Sequence, residues 1–144
     1  MLFAKLNRTN PENVYVVVQN VEGATITTGR AVAYAAGASN DGVQAVIANA
    51  SGDYPSFIGI ASRDVANNDY GLVQIGGLVA SVLLSNEGSS ITINAGDPLV
   101  PAAAGCASAA PTYANSGFKF LLAASNVPVA ISAAAYCSGL FKLV

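Results

Sequence analysis

The stretch FIGIASRDVANNDYGLVQIGGLV, residues 57–79, decides the fold class of this chain. It begins with an apolar run over residues 57–61, breaks at the polar residues 67–69, and resumes as a second apolar run from Tyr70. Short apolar runs separated by turn-forming residues are typical of β-strands. Gly76 and Gly77 interrupt the second run, which predicts a bend, a bulge or a close backbone approach there.

The same pattern of short apolar runs continues on both sides of this stretch. Further runs rich in β-branched and aromatic residues cover residues 14–18, 30–34, 43–47, 91–94, 118–122 and 139–144. Two Ala-rich pieces, residues 101–110 and 130–135, are bounded by Pro, Gly or Ser, so we expect at most one short helix. The sequence therefore predicts an all-β fold, a compact β-barrel or β-sandwich, and shows no convincing internal repeat.

The length of 144 residues fits one domain. We expect a single β domain over residues 1–144. The turn-forming pair Asn10 and Pro11 separates the first residues from the run at residues 14–18. This break predicts that residues 1–13 form an extended N-terminal arm.

The composition indicates a protein that packs against other protein. The chain has no His or Trp, and its six Lys and Arg and eight Asp and Glu make 10% of the residues, against about 25% in an ordinary globular protein. Because charged residues are depleted at the cores of interfaces, so low a content favours an oligomer or a docked subunit. The other interpretation is a monomer with a neutral surface of Ser, Thr, Asn and Gly.

The residues needed for enzyme chemistry are sparse. Without His, neither a Ser–His–Asp nor a Cys–His arrangement can form. Five carboxylates lie in turn-like contexts, where they usually accept hydrogen bonds from backbone amides: Asp53, Asp64, Asp69, Glu87 and Asp97. We therefore expect no enzyme activity, no catalytic residue, no cofactor and no metal. Cys106 and Cys137 are interpreted as reduced thiols or as one disulfide, and the spacing does not choose between them.

The distribution of charge argues against nucleic acid and membranes as partners. The six basic residues are isolated along the chain and form no stripe of the kind that binds nucleic acid. Residues 120–141 are uncharged, but they include Asn126, Pro128 and several Ser and Ala, so they are too weakly apolar for a membrane span. The first eight residues lack the apolar core of a secretory signal.

Three motifs in the central third resemble a known family. They are the strand Gly59-Ile60-Ala61, the strand pair over residues 71–79 with the spacing G-x-V-x-x-x-G-x-V, and the turn Ala95-Gly96-Asp97-Pro98-Leu99. In this order they resemble the capsid decoration, or cement, proteins of tailed bacteriophages. The resemblance implies a compact β-barrel or β-tulip-like fold. It also implies a trimer that sits on the phage head and clamps neighbouring major capsid subunits.

Our first hypothesis follows from this resemblance and from the low charge. The chain is a structural virion protein, made in the host cytoplasm, that binds the outer surface of the phage head and stabilises contacts between major capsid proteins. Its partners are the major capsid protein and two further copies of itself in a homotrimer. The candidate contact residues lie in the arm: Leu2, Phe3, Leu6 and Arg8.

The alternative hypothesis is a β-barrel module of a virion or cell surface that binds a small ligand or a glycan, as an adhesin does. A polar and aromatic cluster of the kind that binds sugars would supply the contacts: Tyr54, Asn67, Asn68, Asp69 and Tyr70. Ordinary loop residues have the same composition.

Overall fold

The computed structural model of the protein describes residues 12–35, 37, 42–49, 51–84, 91–102, 106–109, 121–124, 127–129 and 135–141. Within these residues the regular structure is β-strand, apart from one 3₁₀ helix at Ser51–Ser56. The strands are β1 (Val14–Asn20), β2 (Ala31–Tyr34), β3 (Gln44–Ile47), β4 (Phe57–Ala61), β5 (Tyr70–Gly76), β6 (Leu78–Leu84), β7 (Ile91–Ile93), β8 (Pro98–Ala102), β9 (Cys106–Ala109), β10 (Leu121–Ala123), β11 (Val127–Val129) and β12 (Ala135–Phe141). The predictions of an all-β fold and a β-barrel are confirmed.

The strands form two closed barrels in succession along the chain. The first has the order β1-β3-β2-β4-β5 and closes by the pairing of β5 with β1. The second contains β6, β8, β9, β10 and β12. Strands β7 and β11 pair with each other in a separate two-stranded sheet. Closure removes most of the free strand edges that an open sheet of this size would expose.

The two barrels have the same topology. Starting at β6, the second barrel runs β6-β9-β8-β10-β12 and returns to β6, which repeats the order of the first barrel strand for strand. In each barrel one pair is parallel, β1 with β3 and β6 with β9, and the other pairs are antiparallel. The isolated bridge between Ile26 and Val65 is the first-barrel counterpart of the β7–β11 pair.

The register of the pairs is repeated as well. Cross-strand pairs of the first barrel have counterparts in the second. Ala31–Ile60 corresponds to Pro98–Leu122, Tyr34–Ala45 to Pro101–Ala107, Asn20–Ala45 to Leu84–Ala107, and Ile60–Gln74 to Leu122–Leu140. The expectation that the chain has no internal repeat is therefore wrong at the level of structure. Few of the matched residues are identical, because a strand position requires only a suitable size and polarity.

A glycine turn before the second strand of each barrel shows the repeat most clearly. Gly29 and Gly96 both have positive φ, 84° and 93°, a conformation that favours glycine. Each donates its N–H to an alanine carbonyl, to Ala61 at 2.9 Å and to Ala123 at 2.8 Å. The N–H groups of the same alanines donate to the carbonyl of the residue after each glycine, which is Arg30 for Ala61 and Asp97 for Ala123. The two turns are thus equivalent parts of the two barrels.

The two barrels pack against each other through small side chains on β2. One face of this strand carries Val32 into the interior of the first barrel, where it packs with Val18, Ala61 and Val73. The other face carries Ala31 and Ala33, which belong to the same buried cluster as Val82, Leu84 and Phe141 of the second barrel. β2 is therefore buried on both faces, and its alanines let the barrels approach closely.

Asn20, at the end of β1, is fully buried and fully hydrogen-bonded. Its Nδ2 donates to the carbonyls of Ala24 and Val65, both at 2.8 Å, and its Oδ1 accepts from the Glu22 N–H at 2.8 Å. The residue in the equivalent register of the second barrel is Leu84, which packs in the core. At this position the first barrel therefore has the Asn20 amide, which holds a loop by hydrogen bonds, and the second barrel has the apolar side chain of Leu84.

Replacing Asn20 by leucine tests this account of the loop. Leucine has the same branching at Cγ and is not smaller than asparagine, so Asn20→Leu removes the hydrogen bonds without leaving a cavity. We expect the free energy of unfolding to fall by about 2 kcal/mol, because buried backbone groups lose their partners. The measurement is chemical denaturation followed by circular dichroism. Gln19→Leu, which removes an exposed amide, is the control and should change stability by less than about 0.5 kcal/mol.

The fold bears on three further predictions, which concern the paired glycines, the short helix and the domain bounds. Gly77 has a φ of 86°, and a side chain there would collide with the carbonyl of Glu12, so the predicted close backbone approach at the paired glycines is confirmed. The 3₁₀ helix of the described residues lies at Ser51–Ser56, and most of the Ala-rich piece 130–135 lies outside those residues. The assignments of residues 1–144 to one domain and of residues 1–13 to an arm stay predictions, since residues 1–11 and 142–144 lie outside the described residues.

Candidate interaction surface

Large apolar side chains are exposed on the outer walls of both barrels. The exposed set is Val14, Tyr15, Val17, Tyr34, Tyr70, Leu78, Tyr136 and Leu140. Single exposed apolar residues need no explanation, but groups of them on one face indicate contact with a partner. Most of this set falls into two groups, one on each barrel.

The first-barrel row consists of Tyr15, Val17 and Tyr70. Val17 lies opposite Leu72 and Gln19 lies opposite Tyr70 in the β1–β5 pair, so these side chains share the outer face of that pair. Val17 is 60% exposed and Tyr70 is 54% exposed. The inner face of the same strand carries the buried Val18, so both faces of β1 carry apolar side chains. A strand that is apolar on both sides is suited to contacts on both sides.

The second-barrel row consists of Leu78, Tyr136 and Leu140. Leu78 and Leu140 are direct cross-strand partners in the β6–β12 pair. Tyr136 matches Tyr70 in the repeat and is exposed to the same extent, 54%. Both barrels therefore present a tyrosine at the start of their last strand.

Gln74 connects the two rows. It lies opposite Tyr15 on β5, yet its side chain is buried. Its Nε2 donates to the carbonyls of Gly76, at 3.0 Å, and Leu78, at 3.1 Å. This amide therefore ties Leu78, at the start of β6, to the strand that pairs with Tyr15.

The predicted arm begins beside this junction. The described chain starts at Glu12, whose carbonyl faces Gly77, immediately before Leu78. The predicted contact residues Leu2, Phe3, Leu6 and Arg8 themselves lie outside the described residues, so their role stays a prediction.

Four of the five carboxylates accept hydrogen bonds from backbone amides, as predicted, with Asp53 in the 3₁₀ helix and Asp64, Asp69 and Asp97 outside regular structure. Asp53 accepts from the Asn49 N–H at 2.9 Å, Asp69 from the Tyr70 N–H at 2.9 Å, and Asp97 from the Asn94 N–H at 2.8 Å. Asp64 accepts from both the N–H of Thr28 at 2.7 Å and its hydroxyl at 2.8 Å. Glu87 lies outside the described residues.

The two bonds from Thr28 stabilise the charged form of Asp64. They hold the pKa of this exposed carboxyl below its ordinary value of 3.8, the backbone bond having the larger effect. The pair joins the turn at Gly29 to the loop that follows β4, next to the bridge between Ile26 and Val65. Asp64 thus has a structural role in the first barrel.

A pH-dependent loss of stability is expected for Asp64→Asn. A carboxyl whose pKa is lowered by folding stabilises the fold above its unfolded pKa, and this contribution is lost as the pH falls through the folded pKa. The variant should therefore melt at a lower temperature than the natural protein near pH 6, and the difference should shrink below about pH 3.8. Thermal denaturation across this pH range measures it. Thr28→Val, which keeps the backbone donor, should show a smaller change in the same direction; a difference that grows on acidification would contradict the assignment.

The polar cluster of the glycan-binding alternative forms a turn. Asn68 has a positive φ of 64°, and its N–H donates to the carbonyl of Asn20 at 2.7 Å. Asn67 accepts from the Gly23 N–H at 2.9 Å through its side chain. These groups and Asp69 are engaged in holding the loop between β4 and β5. The side chain of Tyr54 lies outside the described residues, so its place in the cluster stays a prediction.

Cys137 is a free, buried thiol on β12. It packs in the cluster that joins the barrels, and burial raises the pKa of its thiol. A protonated, buried thiol is a poor nucleophile. In the structure this cysteine is therefore a core residue and is not part of a disulfide.

Alkylation tests the state of this thiol. Iodoacetamide should leave Cys137 unmodified in the native protein at neutral pH and modify it after denaturation, since the reactive thiolate is both disfavoured and covered. Peptide mass spectrometry distinguishes Cys137 from Cys106. Rapid modification of Cys137 in the native protein would show that the strand opens.

The described residues contain neither a candidate metal centre nor a candidate membrane-spanning helix. No group of three or more His, Cys, Asp or Glu that could hold a metal ion is present there. Over the same residues, no helix has the length and hydropathy that crossing a bilayer requires.

Sequence reasoning missed the two apolar rows. The signal was present, because residues 14–18 are apolar at every position where a half-buried strand should alternate. The run predicts a strand but does not say which face is covered, and only the position of β1 on the outer wall shows that one face is exposed.

No protein-family model and no curated protein matches this chain. Among solved structures, the fold is similar to that of the head fiber gp8.5 N base of bacteriophage phi29. The TM-score is 0.52 at 16% sequence identity, over 91% of this chain and 95% of the phage protein's chain. At this identity the comparison establishes a shared fold over nearly the whole of both chains.

Proposed function

We propose that this protein is a structural, non-enzymatic component of a bacteriophage virion that docks on the outer surface of the head as a decoration subunit. The observation that carries the proposal is the likeness to the phi29 head fiber base over 91% of this chain and 95% of the other. A match of this extent involves both barrels and their arrangement. Fold likeness to a head protein raises the expectation of a similar role, as an analogy.

The outer surface of the protein supports a role in docking. Each barrel exposes a row of large apolar side chains, and aromatic residues such as Tyr70 and Tyr136 are enriched at interfaces. The low content of charged residues points the same way. The groups that could form a glycan site or a carboxylate pair are engaged in turns instead.

We assign the capsid contact to the second-barrel row together with the arm. Glu12 lies against Gly77, immediately before Leu78, and the arm residues Leu2, Phe3, Leu6 and Arg8 precede Glu12 in the sequence. A row of apolar side chains with an adjacent arm can bind the seam between two major capsid subunits and hold them together. Three copies in a homotrimer would multiply a modest affinity for each site. The protein is made in the host cytoplasm and acts on the assembled head, without nucleic acid, membrane or cofactor.

Co-sedimentation with phage heads tests the proposal. The heads are those of the phage that encodes this chain, stripped of their decoration, and the readout is the protein pelleted per major capsid subunit. We expect saturable pelleting at a fixed ratio, and no pelleting when heads are omitted. Absence of pelleting with these heads would contradict the decoration role.

Two variants locate the contact. Leu140→Asp places a charge at the exposed Leu140–Leu78 pair without touching the core, and we expect binding to weaken about tenfold or more. Deleting residues 1–11 should also weaken binding while leaving the circular dichroism spectrum unchanged. Thr25→Asp, at an exposed loop position of the first barrel, is the control and should bind normally. Normal binding by both variants would remove this assignment of the surface.

A further inference from the structure

We infer that Gly77 is a hinge at which the two barrels of one chain separate, so that the second barrel of each copy docks on the first barrel of another copy. The partner is a second copy of this chain, and the interface is the one that joins the barrels within a single chain. The inference rests on how the barrels are connected and does not depend on the proposed function.

Each barrel is complete in its own strands. Among the described residues, every strand pair lies within the first barrel, within the second barrel or in the β7–β11 sheet. β1 closes the first barrel against β5, and β12 pairs with β6 in the second. The barrels can therefore move apart as units without breaking the pairing of any two of these strands.

The contact between the barrels is apolar and buried, so it must be remade when the barrels separate. Ala31 and Ala33 of the first barrel share a cluster with Leu84 of the second, and none of the three is more than 2% exposed. The Leu83 N–H adds a hydrogen bond to the Gly29 carbonyl, at 2.9 Å. Exposing this surface to water is unfavourable. The second barrel of another copy offers the same surface, residue for residue.

A single residue connects the two barrels. β5 ends at Gly76 and β6 begins at Leu78, so Gly77 alone sets the angle between these strands. Its φ of 86° turns the chain, and glycine adopts positive and negative φ about equally well. With an extended backbone at Gly77, residues 70–84 would run on as one strand. So short an extended connection cannot return the second barrel to its own first barrel, and short hinges of this kind favour exchange between copies.

Two contacts hold the hinge in its turned form. A Cβ on Gly77 would collide with the carbonyl of Glu12, so the chain before β1 lies directly against the hinge. Across the hinge, Nε2 of Gln74 donates to the carbonyl of Leu78 at 3.1 Å. The closed and exchanged forms differ at these contacts and share the apolar interface. The balance between them therefore depends on the hinge residue and on the protein concentration.

Exchange leaves no barrel without a partner once the copies form a closed ring. Two chains close a ring by giving their second barrels to each other. Three chains close it as well, and a ring of three would be the homotrimer named above. In both rings each first barrel carries the second barrel of a neighbour, so the interface has the same residues.

Variants of the hinge test the inference in the full-length protein, without phage heads. The protein is refolded over a range of concentrations and its mass is measured by sedimentation. We expect the natural protein to give larger species as the concentration rises. Gly77→Val should raise their proportion about tenfold or more, because a β-branched residue disfavours positive φ and accepts an extended backbone. Three glycines inserted after Gly77 should lower the proportion by a similar factor, since a longer connection lets the barrels of one chain meet.

Gly23→Val is the matched control for the hinge variant. Gly23 also has a positive φ, of 87°, and lies in a loop of the first barrel where no heavy atom of the described chain is within 4 Å of a Cβ position. This variant should give the same proportion of larger species as the natural protein. A single-chain mass for both the natural protein and Gly77→Val, or a proportion that the inserted glycines leave unchanged, would overturn the inference.

Energy transfer between dyes on the two barrels separates exchange from docking of intact chains. Thr25→Cys and Ala124→Cys place one exposed dye site on each barrel, in a Cys106→Ser background, while the buried Cys137 stays unlabelled. The labelled protein is refolded with an excess of unlabelled natural protein. We expect transfer within the labelled chain to fall in the larger species, because its barrels then lie on different neighbours.

Unchanged energy transfer in the larger species would show that intact chains dock on one another, and would overturn the inference. Neither measurement includes heads. Loss of capsid binding with exchange intact would therefore count against the proposed function alone, and capsid binding without exchange would count against the hinge alone.

Discussion

The close approach of the Gly29 turn to β6 is the contact on which the arrangement of the molecule depends. A side chain at position 29 would crowd this contact, because a Cβ there would lie 3.1 Å from the Leu83 nitrogen, and the φ of 84° at this position favours glycine. The neighbouring Ala31 and Ala33 continue this contact as small side chains in the shared core. Larger residues at these positions would separate the barrels and expose apolar surface on both.

The repeat gives the two barrels the same framework, while their loops and outer surfaces differ. Each barrel has the same strand order and the same glycine turn, and the Gly29 turn of the first barrel is hydrogen-bonded to β6 of the second. The differences between the barrels, such as the hydrogen-bonded Asn20 against the apolar Leu84, then give each barrel its own loops and outer surface.

Exposed apolar side chains on a rigid wall suit a protein whose role is to hold others in place. The first-barrel row and the second-barrel row lie on different barrels and are connected through the buried amide of Gln74. The structure therefore leaves one apolar surface exposed on each barrel.

The sequence by itself determined the class of fold and the absence of His-based chemistry. Short runs such as residues 57–61, interrupted by Asn, Asp and Gly, form strands and turns because these residues fix the backbone locally. The hydrogen bonds that Asp69 and Asp97 accept within their own turns follow from the same local rules. The tertiary structure alone decided that there are two barrels and not one, because the repeat lies in the register between distant strands. It also decided which face of β1 is exposed, since both faces have apolar residues and burial depends on what packs against them.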